Sequence, residues 1–317
     1  MPTGINIPVG NNYFNGTNEQ ILSTLTQFAG VMPSLMNPYP NLTSKVALPR
    51  FKSRPATRAW TNDFQVPATK QSEYTERYLI PTLIRLDDQI ANDDMSATWL
   101  ALRDNMSPKT SLPPEIINAM VGEIRDYIAF LRDDMILNGD TASLDPNLAH
   151  YNGLLKLWTA DLAVKSVGTG AITAANAFSV LSDITEFLAS QAWAKQPDII
   201  ILMSDVDYHY LTLDKEILGR DAKYADVNTQ FKTFLRGNWA VIPVSAMPKD
   251  AVVITRRKNL RFGYNDMSRV FKLTNMFGGN GTFGTHDNWT RLTMGWTEAV
   301  NYTFSEEVIT YGLKAAN

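Results

Sequence analysis

The stretch PPEIINAMVGEIRDYIAFLRDDMILNGD, residues 113–140, decides how the rest of the chain can be arranged. Its apolar side chains recur every three or four positions, as they do on one face of a helix. They are Ile117, Met120, Ile124, Ile128, Leu131 and Met135. Two prolines suit the first turn, and Asn138-Gly139 suits the end of a helix. The stretch therefore predicts one amphipathic helix of about 25 residues and about 37 Å, a spine suited to a flat, extended protein.

The chain before this helix has little capacity to form a core of its own. Residues 1–42 are rich in Asn, Gly and Pro, which predicts an extended arm. Residues 45–51 and 74–80 alternate with the period of a β-strand and enclose turn-forming residues, which predicts a two-stranded ribbon. Because an isolated two-stranded ribbon is only marginally stable, we expect other subunits to support both the arm and the ribbon.

The chain after the helix predicts a mixed α/β module followed by strands. A second amphipathic helix is predicted over residues 177–192, and the apolar run at 199–203 is typical of a buried strand. A helix over 208–218 and an inner strand at 239–242 complete this module. From residue 251 to the C-terminus, strand patterns dominate.

The composition excludes several classes of function. The 317 residues include no cysteine, which removes disulfides, thiolate nucleophiles and cysteine-ligated metal sites. The formal net charge of -3 argues against a surface that neutralises many phosphates, so nucleic acid is expected to be contained rather than gripped. Neither a membrane span nor a secretory signal is present in the pattern, which predicts a protein made in the cytosol.

Three patterns could carry chemistry, and each has a plainer interpretation that we favour. Gly279–Gly284 matches a GxGxxG fingerprint, but a strand pattern follows where a helix is required. Acidic doublets at 87–88, 93–94 and 133–134 could bind a divalent cation, although solvated side chains are the favoured interpretation. Asp205-Val206-Asp207 follows a buried strand and is expected to cap the next helix. We predict no catalytic residue, no cofactor and no metal site.

Short basic clusters leave two interpretations open. Arg50, Lys52, Arg54 and Arg58 form one cluster, and Arg256-Arg257-Lys258 form another. These side chains either lie solvated on strands or form ion pairs across a subunit interface. The sequence alone does not choose between the two.

The order of these parts resembles the major capsid protein of tailed bacteriophages. Short motifs add to the resemblance, since the spine helix ends in Leu137-Asn138-Gly139-Asp140 and Gly153-Leu154-Leu155 follows soon after. Within the α/β module, similar segments are Ile199 to Ser204, Tyr210 to Leu213, Leu218-Gly219-Arg220, and Gly237 to Ser245 with Met247-Pro248. The resemblance covers the chain from about Thr43 to the C-terminus.

This resemblance implies an α+β phage major capsid fold. Its parts would be a long spine helix, an extended β-ribbon called the E-loop, antiparallel P-domain strands and an inserted mixed α/β A-domain. The implied boundaries are an N-terminal arm at 1–42, the E-loop at 43–85, the P-domain at 86–170 and 256–317, and the A-domain at 171–255.

The resemblance also implies a function. The chain would form pentamers and hexamers of an icosahedral shell around double-stranded DNA, in a virion assembled in the host cytoplasm. Its partners would be other copies of itself, a portal, and any separate scaffold or decoration proteins. The expected contact residues are Arg58, Trp60, Thr61, Asn62, Asp63 and Phe64 at the ribbon tip, and Arg220, Asp221 and Asn228 in an axial loop. The alternatives are an encapsulin-like bacterial nanocompartment shell and a cytosolic α/β enzyme that uses the Gly279 loop or Asp205.

Overall fold

The computed structural model describes residues 30–53, 72–91, 114–217, 224–228, 231–236, 239–278 and 287–314. Its helices are α1 (Val31–Leu35), α2 (Pro114–Asn138), α3 (Leu154–Ala160), α4 (Ala177–Ala189) and α5 (Asp205–Ile217). Its strands are β1 (Asn37–Tyr39), β2 (Val46–Ser53), β3 (Ser72–Leu79), β4 (Thr82–Ala91), β5 (Lys165–Gly168), β6 (Ile199–Met203), β7 (Tyr224–Asn228), β8 (Phe231–Arg236), β9 (Trp239–Pro243), β10 (Val252–Arg256), β11 (Leu260–Gly278), β12 (Asp287–Tyr302) and β13 (Val308–Tyr311).

The strands form three sheets. The ribbon predicted from the alternating segments is the antiparallel pair β2 and β3. A four-stranded sheet has the order β1-β11-β12-β4, and a seven-stranded sheet has the order β5-β13-β10-β6-β9-β8-β7. The seven-stranded sheet joins strands from the predicted ranges 86–170, 171–255 and 256–317, so those ranges share one sheet, and their boundaries remain predictions.

The spine helix has the limits that its prolines and Asn138-Gly139 predict, since α2 spans Pro114–Asn138. The helix ends before Gly139, where the backbone of residues 151–153 lies close to its last turn. The N–H of Gly139 donates to the carbonyl of Met135 at 3.0 Å, and the N–H of Gly153 donates to the carbonyl of Gly139 at 2.7 Å. A Cβ at Gly139 would lie 2.5 Å from the carbonyl oxygens of Met135 and Tyr151. The two glycines of the sequence motif are therefore needed for this close approach.

The end of the spine helix is buried more completely than a single apolar stripe predicts. Ile128, Leu131 and Met135 are buried as expected, but Arg132 and Asp133 are buried with them. Arg132 donates to the carboxylate of Glu298 on β12, and its guanidinium lies between aromatic rings of the four-stranded sheet. An isolated charge would be too costly to bury, so this ion pair is what allows Arg132 to face the core.

Asp133 corrects the expectation that the acidic doublet 133–134 is solvated. Its two carboxylate oxygens accept hydrogen bonds from the N–H groups of Val31 at 2.7 Å and Met32 at 2.8 Å. These donors belong to the first turn of α1, where N–H groups lack partners within the helix. Burial raises the pKa of Asp133 to about 6, although the hydrogen bonds and the charge of Arg132 oppose the rise.

The seven-stranded sheet separates two hydrophobic clusters, which explains the continuous apolar run of β6. Ile200 and Leu202 lie in the cluster that includes the spine helix, whereas Ile199, Ile201 and Met203 lie in the cluster beneath α4. Successive side chains of a strand point to opposite faces. Because both faces of β6 are covered, no position in this strand can be polar without cost.

The described part of the arm and the ribbon is supported by its own chain. Met32, Leu35 and Met36 lie in the main core, and β1 pairs in parallel with β11. A third cluster joins Leu42, Leu48 and Leu79 to Ala299 of β12. The expectation that arm and ribbon need other subunits for support is therefore wrong for residues 30–53 and 72–79, because their apolar side chains reach the body of the same molecule.

One strand is longer than the sequence predicts. The pattern at Val270–Leu273 predicts a short strand, but β11 runs from Leu260 to Gly278. Its pairing with β12 is irregular between Asn265 and Val270. An irregularity in strand pairing shifts which residues face inward, so the period-two alternation does not continue across it. The sequence pattern therefore predicts a shorter strand than the one that forms.

Candidate assembly surfaces

The ribbon has two faces that differ in burial. In the register of β2 and β3, Leu48 is opposite Arg77 and Phe51 is opposite Tyr74. Because side chains alternate along each strand, the ribbon divides into two sets. Apart from the exposed Thr75, the inner face is buried or half-buried and consists of Val46, Leu48, Arg50, Arg77 and Leu79. The outer face is exposed and consists of Ala47, Pro49, Phe51, Tyr74, Glu76 and Tyr78.

The inner face is fixed to the body by apolar burial and by a polar cluster around Asp161. Asp161 follows α3, and one of its carboxylate oxygens accepts hydrogen bonds from Arg77, from the Tyr302 hydroxyl at 2.6 Å and from the Ser305 hydroxyl at 2.8 Å. The other oxygen accepts from the N–H of Ala163 at 2.9 Å. Burial alone would raise the pKa of Asp161, but these hydrogen bonds outweigh it and hold the pKa well below the ordinary value.

The Arg77 side chain gains two further contacts in this cluster. Its guanidinium lies 4.0 Å from the centre of the Tyr302 ring, and it donates to the Ser305 hydroxyl at 2.8 Å. A planar guanidinium suits an aromatic face and a carboxylate together. Arg77 therefore joins β3 to the body through one ion pair, one ring contact and one hydrogen bond to Ser305.

Two arginines of the basic clusters, Arg50 and Arg256, form ion pairs in the structure. Arg50 forms an ion pair with Glu306, and Arg256 forms ion pairs with Asp198 at 3.0 Å and Glu307 at 2.8 Å. All of these partners lie in the same chain. Arg50 and Arg256 are therefore ion-paired within their own chain, a third arrangement that neither interpretation included.

The outer face presents aromatic rings around one carboxylate. Phe51 is 63% exposed and Tyr74 is 58% exposed. The Tyr74 hydroxyl donates to Glu76 Oε1 at 2.6 Å, and the Tyr78 hydroxyl donates to Glu76 Oε2 at 2.8 Å. These two hydrogen bonds lower the pKa of Glu76, so the carboxylate is charged at neutral pH. Lys45 Nζ lies 3.8 Å from the centre of the Tyr78 ring.

Other large apolar side chains are exposed outside the ribbon. Ile80 and Leu83 are exposed where β3 leads into β4, and Tyr127 and Phe130 are exposed on the spine helix. Leu144 and Leu162 are exposed in the loops that follow α2 and α3. Single exposed apolar residues need no explanation, whereas several of them on one molecule suggest surfaces that are covered in an assembly.

Some of the residues considered for chemistry can be located in the described part of the chain. No group of three or more His, Cys, Asp or Glu there could hold a metal ion. Asp205-Val206-Asp207 is expected to cap α5, but the capping side chain is that of Ser204, one residue earlier, whose hydroxyl accepts the N–H of Asp207 at 3.0 Å. The Gly279–Gly284 motif and the doublet at 93–94 lie outside the described residues. Among the described helices, none is long and apolar enough to cross a membrane.

Solved structures share this arrangement along nearly the whole chain. One is a chain of the satellite phage P4 procapsid that includes the size determination (Sid) protein, with 13% identity, a TM-score of 0.57, and coverage of 93% of this chain and 98% of that chain. Another is the capsid of an empty GTA particle, with 11% identity, a TM-score of 0.59, and coverage of 90% and 89%. The chain has the phage major capsid fold. No protein-family model matches the sequence, and no curated protein matches it significantly.

The phage major capsid fold confirms the fold class that the sequence resemblance implies. A third structure with this fold is the virus-like particle from Pyrococcus furiosus, with 8% identity, a TM-score of 0.51, and coverage of 94% of this chain and 99% of that chain. Likeness at such low identity reflects shared backbone architecture. Side-chain contacts must therefore be argued from this chain alone.

The predicted contact residues remain predictions. Arg58, Trp60, Thr61, Asn62, Asp63, Phe64, Arg220 and Asp221 lie outside the described residues. Asn228 is the last residue of β7 and is paired in register with Phe231 of β8.

Sequence reasoning missed the two faces at the base of the ribbon. The segment Tyr74-Thr75-Glu76-Arg77-Tyr78 contained a usable signal, because residues two apart share a face of a strand.

Proposed function

We propose that this chain is a major capsid protein that assembles with copies of itself into pentamers and hexamers of an icosahedral shell. The observation that carries this proposal is the near-complete coverage in both directions between this chain and a procapsid chain, 93% and 98%. Coverage of this kind means that the two chains share one architecture over almost their whole matched length. The proposal therefore assigns a structural role and no catalytic step.

The surface chemistry of the chain supports self-association. Tyrosine and phenylalanine are enriched at protein interfaces, and both occur exposed on the ribbon and on the spine helix. An obligate interface commonly buries more than about 2,000 Å², and apolar area contributes about 25 cal/mol per Å². Several modest contacts per subunit would therefore hold a shell without any single strong bond.

The remaining parts of the proposal follow from the same role. The contained nucleic acid would be double-stranded DNA without sequence-specific binding, and the net charge of -3 favours enclosing the DNA over a surface that neutralises many phosphates. The shell would be found in the virion after assembly in the host cytoplasm, with a portal and any scaffold or decoration proteins as partners. The arm, E-loop, P-domain and A-domain would have the boundaries given by the resemblance.

A second candidate is an encapsulin-like nanocompartment shell. The observation that favours it is the likeness to the virus-like particle from Pyrococcus furiosus, which covers 94% of this chain. The two candidates differ in what the shell contains. Genes for terminase and portal beside the gene for this chain would support the capsid, whereas a gene for a packaged enzyme would support the nanocompartment.

The test is electron microscopy and mass photometry of the purified full chain over a range of concentrations. We expect rings or closed shells, with masses that are multiples of 35.4 kDa. Because association depends on concentration, the oligomer fraction should rise steeply as the protein is concentrated. A chain that stays monomeric at high concentration, with no rings or shells, would overturn the proposal.

A further inference from the structure

The outer face of the ribbon combines a fixed negative charge with exposed rings. Each oxygen of Glu76 accepts one phenol hydrogen bond, from Tyr74 or Tyr78. A carboxylate has about four lone-pair sites, so both oxygens keep the capacity to accept further hydrogen bonds. The side chain is thus oriented before any partner arrives, which reduces the entropy lost on binding.

We propose that this outer face receives an arginine or lysine side chain from a second copy of this chain, with Glu76 as its counter-ion. The inference rests on the proposed function, because it names one contact between neighbouring subunits of the shell. It goes beyond that function by identifying the charge and the rings that make the contact.

The geometry of the outer face favours a cation over an apolar group. Phe51 and Tyr74 are opposite each other in the register, two positions from Glu76 along the ribbon in the direction away from Tyr78. A cation near aromatic faces and a carboxylate is stabilised by both. The ring of Tyr78 already has Lys45 Nζ at 3.8 Å. The position open to a partner is therefore beside Phe51, Tyr74 and Glu76.

The inner face keeps this surface in a fixed position on the isolated subunit. Leu48 and Leu79 are buried against Ala299, and Arg77 and Arg50 are ion-paired to Asp161 and Glu306. A ribbon that is anchored in this way presents its outer face without a preceding conformational search. Pre-organised interfaces bind more tightly for the same contacts because fewer groups must be ordered.

The turn at Arg257–Asn259 is the best source of the cation within the described residues. It is the one place in those ranges where two basic side chains that are adjacent in the sequence, Arg257 and Lys258, are both exposed. The preceding Arg256 is held by Asp198 and Glu307. We therefore assign Arg257 and Lys258 of a second copy as the partners of Glu76.

The first experiment compares Glu76→Gln with Glu186→Gln in the full chain. Both variants remove one exposed carboxylate, but Glu186 lies on α4, away from the ribbon. Light scattering and sedimentation would give the concentration at which half of the protein is assembled. We expect Glu76→Gln to raise this concentration by roughly 3- to 10-fold and Glu186→Gln to leave it unchanged. Equal behaviour of the two variants would overturn the proposal.

The second experiment tests the assigned partner by charge reversal. Glu76→Arg alone and the double change Arg257→Glu with Lys258→Glu should each weaken assembly, and the combination of all three should restore it. Absence of recovery would overturn the assignment to this turn. The melting temperature of each variant as a dilute subunit shows that it is folded, and Tyr74→Phe, which keeps the ring, gives a milder test of the oriented carboxylate.

Failure of this inference can be separated from failure of the proposed function. If the unaltered chain forms no rings or shells, the proposed function falls, and the inference falls with it. If the unaltered chain assembles and Glu76→Gln assembles at the same concentration, only the inference falls. Salt gives an independent check, because raising the ionic strength should reduce the difference between the unaltered chain and Glu76→Gln.

Discussion

The inner and outer faces of the ribbon are built from alternating residues of the same two strands, yet they have opposite surroundings. Leu79 on the inner face has 0% of its surface exposed, whereas Tyr74 on the outer face is 58% exposed. Charged groups differ in the same way. Arg77 forms an ion pair with Asp161 and lies on the ring of Tyr302, both in the body of the molecule. Among the described residues, Glu76 accepts side-chain hydrogen bonds from Tyr74 and Tyr78 of the ribbon itself. The difference teaches that one strand can carry both the stability of the subunit and a contact for assembly.

This comparison leads to a general expectation for variants. Changes on the inner face should lower the stability of the single subunit, because they remove buried contacts within one chain. Changes on the outer face should leave that stability unchanged and alter assembly, because their partners lie in another copy.

Replacement of Leu79 should produce the largest loss of stability. Leu79→Ala removes a buried side chain that contacts Leu42, Leu48 and Ala299, and such a cavity costs about 2–5 kcal/mol of unfolding free energy. The matched control is Ile80→Ala, one residue away and 61% exposed, which should change the value by less than about 0.5 kcal/mol. Urea denaturation of the dilute subunit measures both. Equal effects would show that the ribbon does not pack on its own chain.

The pH dependence of stability should show whether Asp133 binds the segment Gly30–Leu42 to the body of its own chain. Because burial raises the pKa of Asp133 to about 6, the folded chain binds a proton in a range where the unfolded chain does not. The protonated carboxyl therefore contributes fully to the stability of the folded chain below about pH 4, the ordinary pKa of an aspartate. This contribution is lost as the pH rises through about 6, and its loss lowers the unfolding free energy by an amount on the order of 2–3 kcal/mol.

The variant Asp133→Asn isolates this effect, because its side chain is neutral at every pH. The difference in unfolding free energy between the unaltered chain and the variant should change between about pH 4 and pH 6.5. Asp134→Asn is the control, since Asp134 is the neighbouring carboxylate and is only half-buried. A difference that stays constant with pH for Asp133→Asn would show that the carboxylate is not buried beneath α1.

Titration of Asp161 should give a smaller effect of the opposite sign. Its pKa is lowered in the folded chain by hydrogen bonds that outweigh burial. Its contribution to stability is therefore present above the ordinary value and is lost as the pH falls below about 4. Asp161→Asn should lower the unfolding free energy at pH 7 by about 1–2 kcal/mol and reduce the loss on acidification.

The outer-face control for Asp161 is Glu76→Gln. Its pKa is also lowered, but the carboxylate is fully solvated, so its interactions are screened and the stability of the dilute subunit should not change measurably. Loss of stability in Glu76→Gln would contradict the claim that the inner face stabilises the subunit and the outer face serves assembly alone.

Local signals in the sequence were sufficient for much of this fold. Pro114 and Gly139 define the spine helix because each acts on its own backbone. The alternation at 45–51 and 74–80 defines the ribbon, and the apolar run at 199–203 defines a strand that is covered on both faces. These features follow from spacing alone, and spacing is visible without any knowledge of the partners.

The features that sequence reasoning missed depend on residues far away in the chain. Arg132 is acceptable in the core only because Glu298 lies opposite, and Asp133 is buried only because α1 begins above it. Arg50 is similarly matched to Glu306. A charge pattern does not show which distant group will neutralise it, so the sequence predicts a solvated Asp133 and leaves the surroundings of Arg50 open.

The most direct test of the account is chemical labelling of tyrosine hydroxyls and rings in the dilute subunit and in the assembled particle, read residue by residue by mass spectrometry. Tyr74 and Tyr78 should be labelled in the subunit and strongly protected in the particle, while Tyr302, which is buried in the subunit, should be protected in both. Equal labelling of Tyr74 and Tyr78 in the two states would contradict the claim that the outer face of the ribbon is an interface between copies of this chain.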